Sequence, residues 1–258
     1  MFQEEFKDVV KTGMIKNRFL KKNPLGYFIS SIIAGLFIAV GGFVAFLIGS
    51  IVSVGEVASL TKVIQAITFA SALSLIVMAG AELYTGNNFV MASASLRKQV
   101  PWKDTIRLWI TCWIGNLIGS LISAVAFQLT GIPKGSVGAY FATIAEGKMA
   151  IAPLSLLLRA MFCNILVCLA IWCSIKLKSE SGKLIMVFWC IMIFMICGFE
   201  HSIANMSVLM VGLLNGAGAD VSIAGYIYNI AIVSIGNLLG SVFVVAIPYH
   251  IISKEIVE

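Results

Sequence analysis

The sequence has few charged residues. Only 12% of its 258 residues are Asp, Glu, Lys or Arg, whereas 60% are hydrophobic and the mean hydropathy is +1.00. A soluble domain carries about 25% charged residues, so this shortage indicates that lipid surrounds much of the chain. The sequence also lacks the alternation of polar and apolar residues that marks the strands of a membrane barrel. Transmembrane helices are therefore the predicted structure.

Residues that would hold a metal ion or form a structural disulfide are scarce. The chain has two histidines and six cysteines, and all six cysteines fall inside long apolar runs. None belongs to a CxxC pair or stands beside a histidine at the spacing of a metal site. We therefore expect small buried thiols, and neither a metal ion nor another cofactor. The first 24 residues are polar and basic, so we expect no cleavable signal peptide.

Long apolar runs, in contrast, are abundant. A transmembrane helix needs about 20 apolar residues. Six runs reach that length: Tyr27–Val52, Val63–Ser95, Thr105–Leu129, Pro153–Ile175, Leu184–Leu214 and Ser222–Ile252. We predict an all-α membrane protein in which six transmembrane helices form a single membrane domain.

The positive charges lie on one side of these six spans. The net charge is +6, and 14 of the 18 lysines and arginines precede the first span or follow the second, fourth and sixth. The loops of the other side hold Lys62 and Lys134. We predict a multi-pass protein of a bacterial inner membrane, and the positive-inside rule places both of its termini in the cytoplasm. The basic charge thus reports topology, and we expect no nucleic-acid partner.

Two landmarks recur in the two halves of the chain. The sequence IGNLIGS at Ile114–Ser120 returns as IGNLLGS at Ile235–Ser241, and a glutamate lies five positions before an asparagine upstream of each. Each copy holds three spans, so the second copy crosses the membrane in the opposite direction, as in transporters built from inverted repeats. The asparagine inside each copy needs hydrogen-bond partners in lipid, and either a neighbouring helix or, for Asn237, the pore would supply them. The predicted segments are a cytoplasmic segment 1–26, a first repeat 27–130, an outer loop 131–152, a second repeat 153–252 and a cytoplasmic end 253–258.

The second and fifth runs each contain a polar interruption. These runs are 33 and 31 residues long and are interrupted at Glu82–Asn88 and Glu200–Asn205. A bilayer about 30 Å thick needs fewer residues at about 1.5 Å each, so we predict two broken helices, pinned by the glutamate of each interruption. A broken helix at membrane depth exposes N–H groups and a positive half-dipole, which favour anions. Lys148 and His201 are candidates for anion capture and proton exchange; the alternatives are a snorkelling lysine and a neutral histidine that bridges helices.

These residues resemble the signature of the formate/nitrite transporter family. The motifs that carry the likeness are Glu82-Leu83-Tyr84-Thr85-Gly86-Asn87, Lys148, Asn164, Gly198–Met206 and Gly236-Asn237. The likeness covers nearly the whole chain and implies an aquaporin-like protomer with its own pore, assembled as a homopentamer. Within the family the chain is most similar to the hydrosulfide channels of anaerobes. Tyr84 replaces the phenylalanine that is common in formate members.

The resemblance also implies which residues line the pore. It places the family's central histidine on His201, its threonine on Thr85 and its vestibule lysine on Lys148. The pore asparagines fall on Asn164 and Asn237. The apolar constrictions above and below the histidine would involve Phe69, Val167 and Phe194 on the outer side and Leu73 and Leu83 on the inner side.

We therefore expect a channel or transporter for small monovalent anions, alone or with a proton, rather than an enzyme. Hydrosulfide is the favoured substrate, and formate or nitrite is the alternative within the family. An intramembrane enzyme would need a nucleophile or a metal set, and Glu200-His201 lacks the His-Glu-x-x-His spacing. A receptor or scaffold that conducts nothing has no need of two broken helices. Membrane lipid and other copies of the chain are the remaining expected partners.

Overall fold

The computed structural model describes residues 2–216 and 218–254. Within these residues the chain is helical and has no β-strand. The helices, in chain order, are α1 Gln3–Lys22, α2 Pro24–Val52, α3 Thr61–Ala79, α4 Tyr84–Leu96, α5 Trp102–Leu129, α6 Gly135–Met149, α7 Pro153–Lys176, α8 Glu180–Ile196, α9 Ser202–Leu214, α10 Ile223–Leu239 and α11 Ile247–Ile252. A 3₁₀ turn, Ala58–Leu60, precedes α3, and a π-helical segment, Gly240–Ala246, joins α10 to α11. The prediction of an all-α fold is confirmed.

The helices make six passages across the membrane, of which four are continuous and two are broken. The continuous passages are α2, α5, α7 and the run from α10 to α11. These four, and also the run Ala58–Ala79 that ends with α3, are long and apolar enough to span a bilayer. The second passage consists of α3 followed by α4, and the fifth consists of α8 followed by α9. Since α4 and α9 have 13 residues each, neither can cross a membrane alone. The predicted interruptions of the second and fifth helices are confirmed.

The two halves of the chain repeat the same packing in opposite orientations. Helix α2 packs against α5 and α3, as α7 packs against α10 and α8, and the halves meet where α3 contacts α8. The last glycine of the repeated motif (IGNLIGS and IGNLLGS) lies at a close helix contact in each half. A Cβ atom at Gly119 would overlap the carbonyl oxygen of Ile32, and one at Gly240 would overlap that of Met161. Glycine is therefore required at both positions, because the backbones of two helices touch there.

A helix that is not a full passage precedes each half. Helix α1 packs on α4, where Gly13 lies against Ala94, and α6 packs on α9, where Gly212 lies against Ala145. Helix α6 lies within residues 131–152, the expected outer loop. The short helices α4 and α9 run from the middle of the protein toward α1 and α6, respectively. These two opposite sides are named the α1 face and the α6 face below.

Candidate functional site

Each broken passage turns at a glycine in the left-handed region. Gly80 has φ +77° and ends α3, and Gly198 has φ +68° and follows α8. Residues with a side chain rarely adopt such values. The chain is extended again at Leu83, with φ −100° and ψ 126°, and at His201, with φ −107° and ψ 117°, each directly before a short helix. Leu83 and His201 therefore occupy equivalent positions in the two repeats.

An asparagine of α5 holds the first break in place. The Oδ1 atom of Asn116 accepts the N–H of Tyr84 over 2.9 Å. Its Nδ2 atom donates to the carbonyl oxygens of Ser31 and Glu82 over 2.7 and 2.9 Å. Asn116 thus joins α2, α4 and α5 and satisfies the backbone that the break exposes, which is the interhelical role expected of a buried amide.

Asn237 of α10 does the same for the second break. Its Oδ1 atom accepts the N–H of Ser202 over 2.9 Å, and its Nδ2 atom donates to the carbonyl oxygens of Ala160 and Glu200 over 2.8 and 3.0 Å. Both amide hydrogens are therefore occupied by backbone. The resemblance placed Asn237 among the pore asparagines, but its amide has no hydrogen left to donate to an anion. Its geometry is that of a residue that positions the break.

Lys148, in the last turn of α6, forms an ion pair with the second break. Its Nζ atom lies 2.8 and 2.7 Å from the two carboxylate oxygens of Glu200, and Nδ2 of Asn205 donates to the same carboxylate over 2.6 Å. The side chain of Lys148 is 20% exposed and that of Glu200 is 4% exposed. Lys148 is therefore not a lysine that snorkels to lipid. Two of its three ammonium hydrogens face Glu200, which leaves one for a ligand.

The first repeat contains the same arrangement, with Lys16 of α1 in the place of Lys148. The Nζ atom of Lys16 lies 2.7 and 2.8 Å from the carboxylate oxygens of Glu82, and Asn87 donates to that carboxylate over 2.8 Å. Sequence analysis missed Lys16. The inverted repeat is the signal that could have found it, because a helix that precedes each half should supply an equivalent partner to each glutamate.

A hydrogen bond joins the two breaks at the centre of the protein. The Oγ1 atom of Thr85, in the first turn of α4, lies 3.0 Å from Nε2 of His201, and both residues are buried. The Nδ1 atom of His201 accepts the N–H of Ala204 over 3.1 Å. Because a backbone N–H can only donate, this contact assigns the hydrogen of the neutral ring to Nε2, which then donates to Thr85. The hydroxyl hydrogen of Thr85 is left to donate to a ligand.

Helices α4 and α9 begin at this pair and run in opposite directions. Their N-termini therefore direct two positive half-dipoles toward one point. In the part of the chain that the structure describes, the N–H groups of Thr85, Gly86 and Ile203 have no acceptor. Unpaired N–H groups at a helix N-terminus form a site that favours an anion.

Asn164 of α7 lies beside the same pair. Its Nδ2 atom donates to the carbonyl oxygens of Thr85 and Asn237 over 3.3 and 2.7 Å. Its Oδ1 atom is buried and has no hydrogen-bond partner among the described residues. A buried oxygen without a donor is costly, so a water molecule or a protonated ligand would stabilise this site.

Apolar side chains surround the pair of Thr85 and His201. The Phe194 ring lies nearly parallel to the His201 ring, with centroids 6.0 Å apart, and Phe69 meets Phe194 edge-on at 5.9 Å. The five residues expected at the constrictions are all buried: Phe69, Leu73, Leu83, Val167 and Phe194. A charged ligand at the centre would therefore be separated from bulk water.

A cavity of about 590 Å³ opens on the α1 face beside the first break. Its lining includes Lys16, Glu82, Leu83 and Gly86, whereas Thr85 is fully buried. Leu83, two residues before Thr85, is one of the apolar side chains that line this cavity, so the cavity reaches the first break.

Tyr84 points away from this cavity. Its hydroxyl donates to the carbonyl oxygen of Ser234 on α10 over 3.4 Å, and its ring lines an apolar groove with Trp109, Trp113 and Leu238. The hydroxyl by which this residue differs from the phenylalanine of formate members therefore faces α10, and Tyr84 does not line the cavity beside the first break. This difference gives no reason to reject formate as a substrate.

Known proteins resemble this chain in both sequence and fold. A sequence model described as "Formate/nitrite transporter" matches residues 3–251. The chain belongs to the formate/nitrite transporter family. The nitrite transporter NirC of Escherichia coli (strain K12) is 30% identical over 230 residues, which are 88% of this chain and 83% of NirC.

Two solved structures resemble this member of the formate/nitrite transporter family. An "FNT family ion channel" superposes with a TM-score of 0.91 at 27% identity and covers 98% of this chain and 100% of the other. A "Pentameric formate channel with formate bound" superposes with a TM-score of 0.77 at 27% identity and covers 90% and 98%, respectively. These proteins are transporters and channels, so the alternative of an intramembrane enzyme is wrong.

Proposed function

We propose that this protein conducts small monovalent anions through each protomer, past the hydrogen-bonded pair of Thr85 and His201. The observation that carries the proposal is the convergence of two helix N-termini on this pair, which lies 3.0 Å apart between apolar side chains. Helix N-termini favour negative charge, while the apolar surroundings disfavour large or multiply charged ions.

The proposed setting is a bacterial inner membrane, with both termini in the cytoplasm and five copies in one assembly. The positive charge gathered beside α1 supports a cytoplasmic α1 face. The pentameric assembly is supported by the similar formate channel, which is described as pentameric. Membrane lipid would cover the remaining apolar surface.

One lysine on the α1 face and one on the α6 face would attract the anion. Lys148 is the cation nearest to the second break, and Lys16 holds the same position in the cavity of the α1 face. Each lysine is held by a glutamate, so the local charge is small and binding of the anion stays weak enough for release. The remaining ammonium hydrogen of each lysine would donate to the anion.

The centre presents the main energetic barrier. Moving a bare ion from water to a medium of low dielectric costs about 20 kcal/mol of solvation free energy in an idealised Born estimate. The hydroxyl of Thr85 and the unpaired N–H groups of Thr85, Gly86 and Ile203 would replace part of the lost hydration. His201 would act as a neutral ring that keeps the hydroxyl of Thr85 turned toward the anion.

A proton can lower the same barrier. Loss of water favours the neutral acid over its anion, so an anion that enters the apolar centre tends to take up a proton from the hydrated cavity. The unpartnered Oδ1 atom of Asn164 would then accept a hydrogen bond from the protonated ligand. Transport of the anion together with a proton follows from this scheme.

Hydrosulfide is the substrate we favour, with formate or nitrite as the second candidate. Hydrosulfide is the most basic of the three anions, so it takes up a proton most readily when it loses water. It also has a single heavy atom and needs few donors. The overall resemblance to hydrosulfide channels supports this choice, whereas NirC and the similar formate channel support the alternative equally well.

Efflux from proteoliposomes tests the proposal. Liposomes that contain the purified protein are loaded in turn with hydrosulfide, formate, nitrite, chloride and sulfate, and initial rates are compared with empty liposomes. We expect flux of the monovalent anions, with hydrosulfide fastest, and no flux of sulfate, because the apolar centre cannot solvate a second charge. Appreciable sulfate flux would contradict the proposed path, and faster flux of formate or nitrite would replace hydrosulfide as the substrate.

A further inference from the structure

A second cavity, of about 550 Å³, lies on the α1 face outside the proposed anion path. Helix α1, the turn that follows α4 and the end of the last passage border it. Its lining residues are Gln3, Lys7, Val10, Lys11, Met14, Arg97, Gln99 and Ser253. The cavity beside Leu83 is lined by a different set of α1 residues, Thr12, Lys16 and Phe19. The two cavities therefore lie beside the same helix but have no lining residue in common.

Arg97 is fixed in the wall of this second cavity. Its Nη2 atom donates to the carbonyl oxygen and to the hydroxyl oxygen of Ser253, over 2.9 Å in both cases. The guanidinium group also lies over the ring of Phe6, 5.3 Å from the ring centroid. Ser253 is 2% exposed and Phe6 is 1% exposed, so both supports are buried. A guanidinium held in this way loses little freedom when it binds an anion.

Two of the three cations of this cavity, Lys11 and Arg97, form no ion pair with a carboxylate of the described residues, unlike several other lysines of the protein. Lys16, Lys21 and Lys148 each pair with a glutamate or aspartate. In contrast, no acidic residue lines the second cavity, and neither Lys11 nor Arg97 forms an ion pair within the described residues. Lys7 is paired with Glu4 in an exposed contact that water screens. The cavity therefore carries an excess of positive charge.

We propose that this cavity binds a phosphate group, carried either by an anionic phospholipid or by a soluble phosphate. The fixed guanidinium, two lysines and two primary amides provide donors from several directions, which suits the three or four oxygens of a phosphate. The volume lies within the range of about 300–1,000 Å³ that is typical of ligand sites and exceeds what a small transported anion needs. The positive-inside rule explains cations on this face but not their convergence on one cavity.

Binding measurements in nanodiscs test this site with the whole protein. Native mass spectrometry measures retention of phosphatidylglycerol against phosphatidylcholine, and titration calorimetry in phosphatidylcholine nanodiscs measures binding of inorganic phosphate. The variants are Arg97→Gln and Lys11→Gln, and Lys103→Gln is the matched control, since Lys103 is exposed near the start of α5 and lies outside the cavity. The elution volume and the anion flux of each variant report whether the fold and the anion path are intact.

We expect each cavity variant to weaken binding about tenfold or more, as loss of a hydrogen bond to a charged group does, while Lys103→Gln changes it less than about twofold. Specific retention of phosphatidylglycerol alone identifies a lipid source, and saturable binding of inorganic phosphate identifies a soluble one. Because the side chain of Lys11 forms no hydrogen bond or ion pair with any other described residue, Lys11→Gln tests the site even if Arg97→Gln fails to fold. The proposal is overturned if the wild-type protein binds neither ligand specifically, or if Lys103→Gln weakens binding as much as the cavity variants.

Discussion

Replacement of Lys148 by methionine tests whether its ion pair with Glu200 supports the fifth passage. The substitution keeps an apolar stem of similar length and removes the ammonium group that lies 2.8 and 2.7 Å from the carboxylate oxygens of Glu200. Glu200, whose side chain is 4% exposed, would then keep the hydrogen bond from Asn205. Loss of one partner of a buried ion pair costs about 3–5 kcal/mol. Since Asn205 remains, we expect a loss of about 3 kcal/mol in the free energy of unfolding.

The double variant Lys148→Met/Glu200→Gln should recover this stability. Glutamine retains an oxygen that accepts the hydrogen bond from Asn205, and no unpaired charge is left in the interior. Replacement of a whole buried ion pair by neutral residues of similar volume is often neutral or stabilising, so the double variant should lie within about 1 kcal/mol of the wild type. Denaturant unfolding in mixed micelles provides the comparison, with the pentamer fraction as a check on assembly.

Transport by the double variant separates the two roles of Lys148. If the ammonium group also receives the anion, the stable double variant should still lose flux by about fivefold, which corresponds to a lost attraction of about 1 kcal/mol. The equivalent double variant in the first repeat, Lys16→Met/Glu82→Gln, makes the same test on the α1 face, and it should lower flux to a similar extent. Wild-type flux in the stable Lys148→Met/Glu200→Gln protein would show that Lys148 supports the break and does not attract the anion. A Lys148→Met protein of wild-type stability would refute the assigned ion pair.

Three further substitutions are informative. Thr85→Val removes the hydroxyl that faces the anion and should lower flux about tenfold or more, whereas Thr85→Ser keeps a hydroxyl and should keep the flux. Initial rates in proteoliposomes make the comparison. Equal rates for the two variants would show that the hydroxyl does not take part in conduction. Phe194→Ala removes a ring stacked on His201 and should raise flux and weaken anion selectivity if the protein assembles; lower flux from an intact pentamer would contradict its place at a constriction. Gly119→Ala should impair folding, because its Cβ would overlap backbone of α2, whereas Gly147→Ala meets nothing within 4 Å and should be neutral. Yield and thermal stability check the last pair.

The broken passages could be predicted from the sequence because polar residues inside a lipid bilayer are costly unless they have a structural or functional role. A run such as Glu82–Asn88 inside an apolar stretch cannot be solvated in a regular helix, so it must mark a break or a site. The excess length of the two runs indicated the same places, and the repeated IGNLIGS motif indicated the inverted order of the two halves. For this reason the six passages, the two interruptions and the inverted order agree with the structure.

The partners of the break residues could not be predicted in the same way. Lys16 lies 66 residues before Glu82, whereas Lys148 lies 52 residues before Glu200, so the equivalence of the two ion pairs is hidden in the linear order. The residues left both a neighbouring helix and the pore open for Asn237, because an amide can bond backbone or a ligand, and the family resemblance placed it in the pore. Its role depends on which carbonyl groups lie within reach, and only the packing of α7 against α10 determines that.

Flux through His201→Asn tests the central claim most directly. Asparagine is a favourable residue at the start of a helix and can accept the N–H of Ala204 as the histidine ring does, so the break and the pentamer should survive. Its shorter side chain cannot reach Thr85, so the 3.0 Å contact between the two breaks is lost. We predict a protein that assembles like the wild type and conducts hydrosulfide, formate and nitrite at least tenfold more slowly. Wild-type flux from an intact His201→Asn pentamer would contradict the claim that anions cross at the pair of Thr85 and His201.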